Sequence, residues 1–365
     1  MEKQSKCPWP KLQTFSNKTR ITSYINNLHP GKNKELYGIV EEVITKAIPQ
    51  WGMTLGPLRN NDYRARIEMT ELRFDPDPDL MGEDEKPKQE EGESEDAYWD
   101  RYWTWEHNTR RTVQPEPGDF EPRPEFRIDL QKEYAHRSLQ VIVKLANIEL
   151  TPEKPEYSGG TWHVEGQMNE HICATAILYY DCENITRSRL AFRQQLSADD
   201  AHEMGYPQGV HEWLTEIFGC ENDGPCVQEV GSVDCFEGRL LTFPNILQHQ
   251  VLPFKLEDST KKGHRKILAL FLVDPGVRII STANVPPQQK DWWGEEVAKQ
   301  WQGSGKAFGK LSAELKDKIF EDVDDFPIGI DEAKEIRLKL MEERSKYVAD
   351  FKDAFEKLEF SLCEH

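Results

Sequence analysis

The chain has 365 residues, 37% of them apolar and 30% charged, enough to bury a sizeable core as one elaborated domain or two ordinary ones. Its 46 Lys and Arg stand against 65 Asp and Glu, and the net charge of −19 repels polyphosphate backbones; with no basic patch, nucleic acid is excluded as a partner. No run approaches the roughly 18 apolar residues that span a bilayer, and the first ten residues lack an apolar signal-type stretch, so a cytoplasmic protein without a membrane partner is expected. Seven cysteines, with no C-x-x-C pair, argue against a zinc knuckle and for reduced thiols.

In chain order, a helical N-terminal part is expected over about 20–70. Leu36, Ile39, Val40, Val43, Ile44 and Ala47 have helical spacing, and Pro49 is expected to end that helix. An acidic loop over 75–123 follows, with the stretch Gly82–Asp96 solvated and the rings Tyr98, Trp99, Tyr102, Trp103 and Trp105 docking its end onto the body. Leu139–Ile148, Ile172–Tyr180, Arg239–Phe243 and Lys266–Val273 read as strands, rich in β-branched and aromatic residues and bounded by Gly, Pro, Asp or Asn. Such strands without intervening crossover helices point to a sandwich or jelly roll, with a β core at about 135–285. Asp199–Phe218 reads as a helix inserted between strands. Helices return over 290–360, where Asp331 suits a cap and Val348, Phe351, Phe355 and Leu358 form one apolar stripe that suits core packing. The whole is expected to be one elaborated α+β domain.

Three features carry chemistry. In Gly159-Gly-Thr-Trp-His163-Val-Glu165, an imidazole and a carboxylate two residues apart on a strand share a face and can converge on one ion. In Gly238-Arg-Leu-Leu-Thr-Phe-Pro-Asn-Ile-Leu-Gln-His249-Gln-Val-Leu-Pro253, a strand delivers the chain to a Phe-Pro corner and then presents His249, 86 residues after the first His (249 − 163). Two imidazoles and one carboxylate on one face of Fe(II) leave the opposite positions open for a co-substrate and O2. Third, Arg265 opens the strand Lys266–Val273; its planar fork suits a carboxylate and never loses its charge, whereas His264 alternates to the other face.

The order H-x-E, then G-R-L-x-x-F-P-N-x-x-x-H-x-V-x-P, then Arg at the head of an apolar strand, resembles the Fe(II)/2-oxoglutarate oxygenase superfamily. Ile21–Pro30, Leu139–Tyr157 and Asp181–Thr186 further resemble the largely fungal domain-of-unknown-function family 4246, over nearly the whole chain outside the acidic loop. The resemblance implies a double-stranded β-helix (jelly-roll) core flanked by N- and C-terminal helices. It implies Fe(II) held by His163, Glu165 and His249, and 2-oxoglutarate anchored by Arg265. It also implies O2-dependent oxidation of a C–H bond in a small-molecule substrate, an amino acid or a secondary-metabolite intermediate, by hydroxylation, desaturation or cyclisation, with succinate and CO2 as co-products. One departure stands out: the superfamily's commoner carboxylate is Asp, and position 165 is Glu.

Candidate substrate contacts are Trp162 beside the first ligand, an Arg among Arg187, Arg189 and Arg193 that would meet a substrate carboxylate, and Lys144 or Asn147, whose alternation lets only one face the pocket. Two other readings stay open. One is a cupin-like metal dioxygenase that does not use 2-oxoglutarate, in which Arg265 is dispensable. The other is a non-catalytic protein that binds a partner through its acidic loop.

Overall fold

A computed structural model describes residues 18–59, 71–116, 127–196, 204–302, 311–323 and 327–359. Its centre is two antiparallel sheets. Strands β1 (Val141–Leu150), β3 (Ile172–Glu183), β6 (Leu240–Pro244) and β9 (Gly263–Val273) form one, in the order β1-β9-β3-β6. Strands β4 (Ser188–Gln195), β5 (Val227–Cys235) and β7 (Gln248–Val251) form the other, in the order β5-β4-β7. A short pair, β2 (Glu156–Tyr157) with β8 (Phe254–Lys255), continues the second sheet beyond β7.

Alternation along the strands sorts two cores. Leu268, Leu270 and Leu272 of β9 and Ala174 and Ala176 of β3 pack outward against helix α1 (Lys34–Arg59), whose Val40, Val43, Ile44, Ala47 and Trp51 are buried. Ile177, Tyr179, Ala269, Phe271 and Phe243 turn the other way, toward Leu190, Phe192, Val233 and Val251 of the second sheet. The two sheets therefore pack face to face, and the space between them holds the candidate site.

Helix α1 runs through Pro49 to Arg59 instead of stopping at the proline. A proline inside a helix costs about 3 kcal/mol. Here burial of Ile48 and Trp51, on the same face as Val40 and Ile44, offsets that. Gly52 permits the next contact: a Cβ there would lie 2.2 Å from the Ile128 carbonyl oxygen, whose residue donates its N–H to Gly52 O at 3.0 Å.

Three further expectations are corrected. Within the supposed acidic loop, helix α2 (Glu95–Thr109) forms, capped by Ser94 and with Glu95 and Asp96 in its first turn. Its rings pack on one another, Trp99 and Trp103 stacked at 6.0 Å, and on the acidic stretch itself. The Tyr98 hydroxyl donates to Pro87 O, and Arg101 grips both Glu93 and the Lys88 carbonyl. Of the supposed helix Asp199–Phe218, the described residues form only a short helix over 212–218, its main part Leu214–Phe218; Gly205, Pro207 and the positive-φ Gly209 precede it, and 199–203 lie outside them. The C-terminal helix is capped by Gly329, with Asp331 in the first turn.

After a short helix α3 (Leu130–Glu133), the remaining helices are α4 (Lys290–Gln302), α5 (Ala313–Glu321) and α6 (Ile330–Glu356). The end of α6 is tied to the second sheet. Phe355 is buried, the Gln195 side chain donates to its carbonyl, and Glu356 accepts from Arg193 at 2.7 Å. Among the described residues, no helix is long and apolar enough to cross a membrane.

Candidate metal centre

The segment 156–163 runs antiparallel to β7 and β8. Tyr157 pairs with Phe254, Gly160 donates to Val251 O at 2.9 Å, and His163 pairs with His249 in an isolated bridge. Six steps from Tyr157 to His163 face five from Phe254 to His249, so one extra residue bulges out between them. Gly159, at φ +97°, makes that possible: a Cβ there would sit 3.1 Å from the Val251 carbonyl oxygen. The Gln250 side chain fastens the bulge by donating to Gly160 O at 2.7 Å.

Directly opposed residues share a face, so His163 and His249 both look inward, with ring centroids 4.4 Å apart. Glu165 lies just beyond, in a bend. Its backbone is fixed by Asn245, which accepts from the Glu165 N–H at 2.9 Å and donates to the Glu165 and Ile172 carbonyls. Glu165 Oε1 is 3.4 Å from His249 Nε2 and 4.0 Å from His163 Nε2. The three side chains bring ligand atoms within 4.8 Å of one another, the one such metal-capable group among the described residues.

Each member is prepared for the role of a donor. His163 Nδ1 lies 2.8 Å from the Thr161 carbonyl, which fixes the proton on Nδ1 and leaves the Nε2 lone pair facing Glu165. Burial, with His249 beside it, pushes the His163 pKa down despite Glu165, so its neutral form is favoured. Burial pushes the Glu165 carboxyl up, but the hydrogen bond and charge of His249, with Lys144 and His163, outweigh it and the net shift is down. His249 is 3% exposed, between the rings of Phe243 at 4.9 Å and Phe192 at 6.5 Å. A metal drawing ligands to about 2.0–2.2 Å needs only small closing movements from these distances. The donor set fits a divalent transition metal.

Arg265 lies on the same inward face, farther along β9. It is 3% exposed, donates from Nη1 to Ser188 Oγ at 2.8 Å, and rests over the rings of Tyr179 and Phe254. No carboxylate among the described residues pairs with it, and its Nε is buried without a hydrogen-bond partner. A bulge after Tyr179 lets Cys182 pair with Arg265 while the Tyr179 ring stays beneath the guanidinium. His264 points to the other face, 2.9 Å from Asp181.

The other candidate contacts separate cleanly. Arg187, Arg189 and Arg193 alternate with the inward Ser188, Leu190 and Phe192, so all three point away from the cluster. Arg187 and Arg189 meet Asp234; Arg193 lies 4.8 Å from the Trp162 ring and bonds Gln248 and Glu356. Trp162 thus faces outward with it. Lys144 faces inward, directly opposite Ala269, and Asn147 faces away.

The family described as "Protein of unknown function (DUF4246)" matches residues 9–296. The chain belongs to the DUF4246 family. His163, Glu165, His249 and Arg265 all lie within the part of this DUF4246 chain that matches. No curated protein matches it. Among solved structures, a hydroquinone 1,2-dioxygenase in complex with Cd2+ and 4-hydroxybenzonitrile is 11% identical at a TM-score of 0.19, over 40% of this chain and 64% of that one, less than two thirds of its length. A hydroquinone 1,2-dioxygenase from Sphingomonas sp. TTNP3 with 4-hydroxybenzoate bound is 11% identical at 0.18, over 49% and 92%. A Neisseria meningitidis protein is 12% identical at 0.15, over 40% and 97%. Likenesses this slight carry no argument about fold or activity.

Proposed function

We propose that this DUF4246 protein is an Fe(II)- and 2-oxoglutarate-dependent oxygenase that oxidises a C–H bond of a small molecule. The metal half of the reading rests on the converging donors of His163, Glu165 and His249. The observation that carries the 2-oxoglutarate half is Arg265: a buried guanidinium with a serine beside it, no carboxylate, and an orphaned Nε. Burying a charge without its counter-charge is costly, so such a group is most simply understood as the receiver of an incoming anion. The strand orders β1-β9-β3-β6 and β5-β4-β7, the latter extended beyond β7 by 156–163, support a double-stranded β-helix as the scaffold.

In this reading, bound Fe(II) and 2-oxoglutarate supply O2-dependent oxidation of the substrate, with succinate and CO2 as co-products. The protein's own groups do the rest. Thr161 holds the His163 tautomer, Asn245 aims the Glu165 carboxylate through its backbone, and Phe192 and Phe243 keep water from His249. Arg265 and Ser188 receive the far carboxylate of the co-substrate by charge-assisted hydrogen bonds.

The test is anaerobic addition of Fe(II) and 2-oxoglutarate to the whole protein. A visible absorption band needing both additions is expected, followed on admitting O2 by succinate formation. Arg265→Met is expected to raise the 2-oxoglutarate concentration needed by about 10–100-fold. The band's absence sinks the proposal. Unchanged metal-dependent turnover in Arg265→Met favours the rival, a metal dioxygenase without this co-substrate.

A further inference from the structure

The inward face of the first sheet is apolar almost throughout. Its positions are Ile142, Ala146 and Ile148 on β1, Ile267, Ala269 and Phe271 on β9, Thr175, Ile177 and Tyr179 on β3, and Leu241 and Phe243 on β6. Two cations interrupt it. One is Arg265; the other is Lys144, on the edge strand β1, directly opposite Ala269 and two residues from Ile142, which opposes Phe271. Phe271 in turn opposes Thr175, and Thr175 opposes Phe243, the ring packed on His249. Lys144 therefore stands one step along the sheet from the row that bounds the metal centre.

Lysines on exposed strands ordinarily meet an acid or open water. This one is exposed yet turned toward the site, and no carboxylate among the described residues lies within ion-pair distance of it. Glu165 does not neutralise it, being engaged with His249 instead. With the proposed occupants in place, the charges balance without Lys144. A divalent iron is met by the Glu165 carboxylate and the metal-binding carboxylate of 2-oxoglutarate, and the far carboxylate is met by Arg265. One positive charge is left facing the site.

Resting on the oxygenase reading, we propose that Lys144 receives an anionic group of the substrate, a carboxylate, and so selects acids over their neutral counterparts. It is a specificity-determining residue at the open side of the site, distinct from the co-substrate's anchor Arg265.

The experiment uses the whole protein loaded with Mn(II) and 2-oxoglutarate, with ligand-observed NMR of hexanoate, phenylacetate and several N-acetyl amino acids beside their amides. At least one acid is expected to bind about 10-fold or more tightly than its amide. Lys144→Met should abolish that preference and Lys144→Arg restore it, while 2-oxoglutarate affinity stays within two-fold. Equal behaviour of acid and amide in the unsubstituted protein, no binding of either included, overturns the proposal. So does an acid preference that survives Lys144→Met, or a 10-fold loss of 2-oxoglutarate affinity in that variant, which would make the lysine a co-substrate contact. Failure of the oxygenase reading is seen separately, as a missing Fe(II)–2-oxoglutarate absorption band in the unsubstituted protein.

Discussion

His163 and His249 are direct partners across an antiparallel pair, each backbone N–H donating to the other's carbonyl, at 3.2 and 2.9 Å. Their rings are thus brought together by the backbone ladder. The two differ in burial: the side chain of His249 is 3% exposed and that of His163 29%. His163→Ala and His249→Ala should each weaken Mn(II) binding at least about 100-fold, read by equilibrium dialysis, since either removes one donor of three. Only His249→Ala should also cost about 2–4 kcal/mol in urea unfolding, because it empties a space between Phe192 and Phe243. Metal affinity unchanged in His163→Ala would remove it from the ligand set.

Asn245 touches no donor atom yet makes two hydrogen bonds to the Glu165 backbone and a third to the Ile172 carbonyl. Asn245→Ala should reduce Mn(II) affinity about 10–100-fold. Asn245→Asp, which keeps the acceptor and loses both donors, should fall between. An affinity equal to that of the unsubstituted protein would show that the bend at Glu165 holds itself.

The end of the C-terminal helix is anchored by Glu356 on Arg193, which also stacks over Trp162 beside the first histidine. Glu356→Ala leaves a largely buried guanidinium without its carboxylate and should cost about 3 kcal/mol. Glu356→Gln, which retains an acceptor oxygen, should cost less. Urea unfolding ranks the two; equal stabilities would mean that the pair is in effect solvated.

Glu93, bonded by Arg101 and by the Glu90 N–H, has its carboxyl pulled down to about 2. A depressed folded-state value means that the contact stabilises the folded acidic stretch fully above the ordinary carboxylate range near 4.5. That contribution is lost as pH falls from there through about 2. Carboxyl NMR should show Glu93 still ionised at pH 3.5, and Arg101→Met should return its midpoint toward the ordinary value. A normal midpoint in the unsubstituted protein would mean that the acidic stretch does not rest on α2.

Strands dense in β-branched residues were legible where both faces are covered: β3 and β9 each contain an expected run, and β1 and β6 each overlap one. β4 and β5 were not, since polar outward positions such as Arg189 and Arg193 and the bulge at Gly231 dilute the pattern. Helix α2 was hidden by an aromatic and acidic composition, although Ser94-Glu-Asp is an N-terminal signature. At the candidate site, residue type and spacing picked out side chains that the fold does bring together. The supporting groups were less readable. Asn245 stood inside the Phe-Pro-Asn frame, but its partner 80 residues away is set by register alone. The bulge that aligns His163 likewise depends on how two distant segments pair.

The ladder joining 156–163 to 249–255 has a consequence for how the site comes into being. The two histidines are 86 residues apart (249 − 163), so their meeting is a long-range closure of the kind that slows folding. Until it closes, the chain offers only the local His163 and Glu165 pair, a weak and unselective hold on any ion. In the proposed metal centre, chelating strength and completed tertiary structure would therefore arrive together, leaving a nascent or partly unfolded chain a poor competitor for scarce metal.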